Sequence, residues 1–198
     1  MYPESLKNLI ESFKMLPGIG EKTAERMAFF ILDMDADNVD FFSDSISNAK
    51  KKLHKCSRCN NITDQDVCSI CTDLNRNTKT LCIIEDPKSL YMFEKTKIYN
   101  GYYFILNDLI SPLNGVNPED IGLEKLLQLI KNNDFDEIII AVKPSIEGET
   151  TSLYIKRILE GLDIKVTRLA SGIPMGADIE YIDSLTLERA INDRKEIE

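Results

Sequence analysis

Four cysteines in two closely spaced pairs are the residues of this chain best suited to hold a metal. Cys56 and Cys59 form one C-x2-C pair, and Cys68 and Cys71 form a second pair after an eight-residue polar spacer. A two-residue gap lets both sulfurs of a pair turn to the same side, so four thiolates can surround one tetrahedral zinc ion. Because four thiolates leave no position open for water, we expect one structural zinc per chain. The alternative is two disulfides, which are disfavoured in the reducing cytosol that we expect for a chain with no signal peptide.

A second candidate site is a Pro-Gly-Ile-Gly turn between two helical segments near the N-terminus. The backbone N–H groups of Gly18, Ile19 and Gly20 would lie at the start of the second helix, where the helix dipole also favours an anion. Such a turn can bind a DNA phosphate without reading any base. Lys22 and Arg26 are four residues apart and therefore lie on one face of that helix. We favour DNA binding over the alternative, a plain helical hairpin with a glycine turn.

The elements that must position these groups change in kind along the chain. Before the cysteines, apolar residues recur every three or four positions, which predicts three amphipathic helices. These are residues 5–16, a helix that starts near 21, and residues 37–53. After the cysteines, short apolar runs alternate with helical segments, which predicts a mostly parallel sheet with helices on its faces. The predicted strands are 81–84, 102–106, 138–142 and 165–169, and the predicted helices are 90–94, 123–130 and 151–162.

Two acidic residues, Glu85 and Asp86, directly follow the first predicted strand. Ligands of parallel sheets bind at the carboxyl ends of the strands, so this pair is a candidate for a weak magnesium site or a contact with a partner protein. The alternative is that both carboxylates are solvated and bind nothing.

The overall charge limits which parts of the chain can approach nucleic acid. The 198 residues carry a formal net charge of −9, and residues 80–198 account for −8 of it. The one dense basic run, Lys50–Lys52 with Lys55 and Arg58, precedes the second cysteine pair and is either a nucleic-acid contact or a solvated helix end. No apolar run approaches the length of a membrane span. We therefore expect a cytoplasmic protein with no membrane contact.

In the order of its motifs, the chain resembles the RecR family of bacterial recombination mediators over nearly all of its length. The resemblance rests on the glycine turn, the four cysteines and several later segments. These segments are Ser111-Pro112-Leu113-Asn114-Gly115-Val116, Glu147-Gly148-Glu149-Thr150-Thr151, Arg168 to Gly176, Glu180-Tyr181-Ile182-Asp183 and Thr186-Leu187. It implies an α/β fold with four regions: a helix-hairpin-helix DNA-binding region at 1–54, a four-cysteine zinc finger at 55–72, a Toprim domain at 79–175 and a C-terminal helical arm at 176–198.

The resemblance also implies a function. Members of the family are non-catalytic DNA-repair proteins that act with RecO and RecF to help load RecA onto single-stranded DNA, and they form ring-shaped homotetramers. In this chain Phe30 and Phe104 stand where the resemblance suggests histidines, which puts any proton-linked role there in doubt but conserves bulk.

A metal-dependent nuclease or primase is the competing function, because Toprim domains elsewhere cut, rejoin or prime nucleic acids. That chemistry uses a glutamate after the first strand and a D-x-D pair after a later strand. Glu85 fits the first position, but Lys143 and Ser145 stand at the second. A lysine and a serine cannot replace two carboxylates around a magnesium ion. We therefore expect a protein that is not an enzyme.

Overall fold

The computed structural model describes residues 2–170, 172–194 and 196, which divide into two units, Met1–Leu53 and His54–Glu198. Ser171 in the family-like segment 168–176, and positions 195, 197 and 198 of the predicted arm, lie outside the described residues.

The first unit contains a hairpin of two helices, α1 (Glu4–Lys14) and α2 (Glu21–Leu32), followed by α3 (Ala36–Lys52). The core of the hairpin is small: Ile10 of α1 packs against Ala24 and Ala28 of α2, with partly buried apolar residues around them. The alanines let the two helix backbones approach closely. The third helix is amphipathic as the sequence predicts, yet it has no buried residue, so its apolar stripe is uncovered within this unit.

The second unit is built on a four-stranded parallel sheet with strand order β4-β3-β5-β6. Its elements, in chain order, are β1 (His54–Lys55), β2 (Ile62–Thr63), α4 (Ser69–Thr72), β3 (Asn77–Ile84), α5 (Pro87–Thr96), β4 (Gly101–Ile105), α6 (Leu123–Lys131), β5 (Glu137–Ala141), α7 (Ile146–Ile158), β6 (Lys165–Arg168) and α8 (Ser184–Asn192). Short 3-10 turns lie at Pro112–Asn114 and Ile179–Tyr181.

Side chains of the central strand β3 alternate between two separate cores. Leu81 and Ile83 face a large core that also contains the buried faces of α6 and α7. Cys82 and Ile84 face a second core, which is closed by Leu90 of α5 and by the four cysteines of the two pairs. Alternation with a period of two is the geometry of a strand covered on both faces. The cysteine-containing segment therefore covers one face of the sheet.

The predicted α/β fold class is confirmed, with N-terminal helices, a four-cysteine site, a parallel sheet and a helical C-terminal segment. The four predicted strands are present with ends displaced by up to four residues. The helix predicted at 151–162 was misplaced: α7 runs from Ile146 to Ile158, because the Ser145 hydroxyl accepts a hydrogen bond from the Gly148 N–H and caps an earlier start. Among the described residues, no helix has the length and apolar character needed to span a membrane.

Candidate zinc centre and nucleic-acid interface

The four cysteine sulfurs converge on one point. All four lie within 4.8 Å of one another, and all four residues are buried. Among the described residues they form the one group of three or more potential metal ligands. Four thiolates at this spacing suit a tetrahedral zinc ion whose site is closed to solvent. The predicted structural zinc site is therefore confirmed.

Each cysteine pair is shaped by a tight turn of the backbone. The Asn60 N–H donates to the Cys56 carbonyl at 3.1 Å, and the Cys71 N–H donates to the Cys68 carbonyl at 3.0 Å. Asn60 has a φ of 65°, a left-handed conformation that asparagine tolerates better than most residues. Two backbone N–H groups, from Arg58 and Cys68, point at the Cys56 sulfur at 3.4 and 3.3 Å. These contacts fix the position of the Cys56 sulfur.

Two of the four sulfurs, those of Cys59 and Cys68, are in direct contact. Cys59 and Cys68 share a hydrogen bond at 3.6 Å, which raises the pKa of Cys59 and lowers the pKa of Cys68. The fifth cysteine, Cys82, lies inside β3, where burial raises the pKa of its thiol to about 12. Cys82 is thus a core residue in the thiol form, outside the four-sulfur group.

The zinc segment, which we define as residues 55–72, is joined to the sheet by hydrogen bonds to its backbone. The Ile105 N–H at the end of β4 donates to the Cys59 carbonyl at 2.9 Å. The Asn60 side-chain amide donates to the Ile105 carbonyl, also at 2.9 Å. The first cysteine pair therefore continues the hydrogen bonding of the outer strand of the sheet.

The glycine turn of the first unit leaves backbone donors exposed before α2. Gly18 has a φ of +79°, and a side chain at this position would be strained. The Ile19 N–H donates to the Leu16 carbonyl at 3.2 Å and so closes the turn. In the part of the chain that the structure describes, the N–H groups of Gly18 and Gly20 have no protein acceptor. These two donors lie directly before the N-terminus of α2, and Ile19 is partly buried against the hairpin core.

Two exposed cations and one bridging lysine surround this turn. Lys22 and Arg26 are both exposed and lie within the first two turns of α2. Sequence reasoning missed Lys14, whose ammonium lies 2.6 Å from the Glu21 carboxylate and 2.8 Å from the Glu11 carboxylate. These hydrogen bonds raise the pKa of Lys14. Lys14 therefore offsets part of the negative charge that Glu21 places in the first turn of α2. The i,i+7 spacing of Lys14 and Glu21 across a glycine turn was the available signal.

The two acids after β3 have separate partners. One Glu85 oxygen accepts the Lys143 backbone N–H at 3.2 Å. Asp86 caps α5, because its two oxygens accept from the Ser89 N–H at 2.9 Å and the Ser89 hydroxyl at 3.0 Å. The first of these hydrogen bonds is the main cause that lowers the pKa of Asp86. Ser145, at the position where a nuclease needs an acid, caps α7. A magnesium or partner role for Glu85 and Asp86 stays a prediction.

Models of known protein families match consecutive parts of the chain. A RecR helix-hairpin-helix model matches residues 6–50, and a model of the RecR four-cysteine zinc finger domain matches residues 53–73. A Toprim domain model matches residues 79–170, and a RecR C-terminal model matches residues 172–195. The chain belongs to the RecR family. Three of its four regions match models specific to RecR, and they occur in the order that the motifs predict.

The matched RecR regions contain the two candidate sites. The zinc finger contains the four buried cysteines, and the helix-hairpin-helix region contains the Gly18–Gly20 turn with Lys22 and Arg26. The two phenylalanines that replace expected histidines have different surroundings. Phe104 of β4 is fully buried in the sheet core, whereas Phe30 of α2 is 67% exposed. A phenyl ring therefore fits the core at 104 and adds apolar surface at 30.

Proposed function

We propose that this RecR-type recombination mediator binds DNA without catalysis and acts with RecO and RecF to help load RecA onto single-stranded DNA. The observation that carries the proposal is the glycine turn at the start of α2. Gly18 and Gly20 there have backbone donors without a protein acceptor in the described residues, and the exposed Lys22 and Arg26 follow in the first two turns of α2. Backbone donors and flexible cations contact phosphates of any sequence, so binding is independent of the bases.

The carboxyl edge of the sheet supports the non-catalytic part of the proposal. A two-metal or one-metal Toprim reaction needs several carboxylates around magnesium. Here Asp86 is engaged as a helix cap, Ser145 caps another helix, and Lys143 places a cation at the same edge. Glu85 is left as the one acid at the expected place, and a single carboxylate holds magnesium weakly. We propose that Glu85 contributes to contacts with RecO or RecF instead.

We further propose that the protein assembles as a homotetrameric ring around DNA. An apolar groove of about 940 Å³ runs along the first unit, with the exposed rings of Phe29, Phe30 and Phe42 in its lining. Uncovered apolar surface of this kind is typical of an interface between chains. A second copy of the first unit is the proposed occupant, and Lys22 and Arg26 at the rim would then lie beside those of the partner. Light scattering should show a tetramer, and Phe30→Glu should shift it toward smaller species.

Assembly also explains how an acidic chain can hold DNA. One hairpin supplies two or three phosphate contacts, which gives weak binding. When several hairpins contact one duplex, high effective concentration raises affinity by about 10²–10⁴ without new contacts. The acidic sheet units would then lie away from the phosphates.

The test is DNA binding by charge-reversed variants at low salt. Lys22→Glu and Arg26→Glu should each lose most binding while the fold and the zinc content stay normal. Lys7→Glu is the matched control, because Lys7 is an exposed lysine on α1 outside the turn. Unchanged binding in both α2 variants would show that the hairpin is not the DNA site.

A further inference from the structure

A lysine of the Toprim domain reaches into the zinc segment. Lys125 lies on α6, 54 residues after the last zinc ligand in sequence. Its ammonium donates to the Cys56 carbonyl at 3.0 Å and to the Asn60 side-chain oxygen at 2.5 Å. Lys125 therefore contacts the first cysteine pair at Cys56, its first ligand, and at Asn60, the residue with positive φ that follows Cys59.

An arginine makes the corresponding contact with the second cysteine pair. The Arg58 guanidinium donates to the Cys71 carbonyl at 3.3 Å and to the Asn133 side-chain oxygen at 2.9 Å. It also stacks over the Tyr102 ring of β4, 4.7 Å from the ring centroid. Each cysteine pair thus has one cation at a ligand carbonyl. Lys125 reaches its pair from α6, and Arg58 links its pair to Asn133 and Tyr102.

The charge of these two cations has no carboxylate counterpart. Every hydrogen-bond partner described for Lys125 and Arg58 is a neutral oxygen. In the described residues neither side chain forms a salt bridge, although other lysines and arginines of this acidic chain do. Both side chains are partly buried, and a partly buried cation is stable when an anion lies nearby.

The missing anion is the metal centre itself. Zinc with four thiolates carries a formal charge of about −2, and the four cysteines are buried. We propose that Lys125 and Arg58 are the counter-charges and positioning residues of the zinc centre, so that helix α6 determines how firmly the metal is held. Two positive charges match the formal charge of the centre, and each acts through the carbonyl of a ligand residue.

Two substitutions of Lys125 distinguish the effect of its charge from the effect of its packing. Groups around a metal's ligands typically change metal affinity about 10–100-fold when they are removed. Lys125→Met keeps an unbranched side chain that is one heavy atom shorter and removes the charge, whereas Lys125→Arg changes the shape and keeps the charge. If charge is the property that matters, the arginine variant should hold zinc nearly as well as the wild type.

The experiment measures zinc transfer from the full-length protein to an excess of a chromogenic chelator. Lys125→Met should release zinc about 10–100-fold faster than wild type, and Arg58→Met should do so independently. Lys131→Met is the matched control, because Lys131 is an exposed lysine on the same helix, and its rate should equal that of wild type. The absorption spectrum of the cobalt-substituted proteins checks that four sulfurs still bind the metal.

Two outcomes would overturn the proposal. One is a release rate for Lys125→Met and Arg58→Met that matches Lys131→Met. The other is a Lys125→Arg rate as fast as that of Lys125→Met, which would assign the effect to packing. If Lys125→Met fails to accumulate as folded protein, Arg58→Met and Arg58→Lys decide the question, because both leave α6 intact and the lysine variant keeps the charge. An Arg58→Lys rate as fast as that of Arg58→Met would assign the effect to packing and overturn the proposal.

Discussion

Removal of zinc should destabilise the Toprim sheet as well as the zinc segment. The four cysteines form one core with side chains of the sheet and of α5, and the zinc segment covers that core. Without metal, four mutually close thiols have no bond to hold them together, and zinc-finger peptides lose about 10–16 kcal/mol of binding free energy when the ion is absent. The zinc segment would then separate from the sheet.

The size of the effect follows from the side chains that lose their cover. Ile84, Leu90, Tyr103 and Ile105 are each at most 3% exposed. Complete burial of such a side chain stabilises a protein by about 1.5–3 kcal/mol. If half of this surface becomes exposed, the free energy of unfolding of the second unit falls by about 3–6 kcal/mol. That is a large share of the roughly 5–15 kcal/mol by which a domain is stable.

Hydrogen exchange of the full-length protein, with zinc bound and after chelation, measures this loss by region. Amides of β3 and β4 should exchange about 10²–10⁴-fold faster without zinc. The α1–α2 hairpin is an internal control and should keep its rates. Cys59→Ser should reproduce the chelated state, whereas Cys82→Ala should keep the metal, because Cys82 is not in the four-sulfur group. Unchanged protection of β3 and β4, with faster exchange confined to residues 55–72, would show that the zinc segment does not stabilise the sheet.

Three further predictions concern the carboxyl edge of the sheet. Neither the wild type nor Glu85→Ala should cleave DNA with magnesium, and cleavage that is present in the wild type and absent in the variant would contradict the non-catalytic assignment. Asp86→Ala should lower stability by about 1 kcal/mol at neutral pH through loss of the α5 cap. Because capping lowers the pKa of Asp86, its contribution is present at neutral pH and is lost as the pH falls through that lowered pKa, so denaturation of Asp86→Asn should lack this acid dependence. Gly148→Ala should destabilise by about 1–3 kcal/mol or more, since its Cβ would lie 2.0 Å from the Lys143 carbonyl oxygen, while Gly172→Ala, with nothing within 4 Å, should melt like wild type.

The zinc site was predictable because its geometry is encoded locally. A C-x2-C spacing determines where two sulfurs point, and only the pairing of the two turns depends on the tertiary fold. The parallel sheet was predictable for a similar reason, since the apolar runs of β3 and β5 alternate with helical segments. The start of α7 was not, because the Ser145 cap lies inside a polar stretch with no apolar period to mark it.

Polar contacts between residues far apart in the chain could not be predicted from the sequence. Lys125 is one of two lysines on the amphipathic helix α6, and nothing in the local sequence indicates that it contacts Cys56. From the sequence, Asp86 is a possible metal ligand, because an acid after a strand can either bind a metal or cap the next helix. Its contact with the Ser89 N–H, which the structure shows, identifies it as a cap. Sequence gives the type of each charged group, whereas its partner depends on how the strands and helices pack.

The salt dependence of DNA affinity shows whether the α1–α2 hairpin is the DNA-binding site. On duplex DNA each neutralised phosphate contributes about 0.9 to the slope of log affinity against log salt. If Lys22 and Arg26 each contact one phosphate, the variant with both changed to glutamine should lose about 1.8 from the slope for every hairpin engaged, at unchanged zinc content. Equal slopes for the wild type and this variant would show that Lys22 and Arg26 do not contact phosphates and that DNA binds elsewhere on the protein.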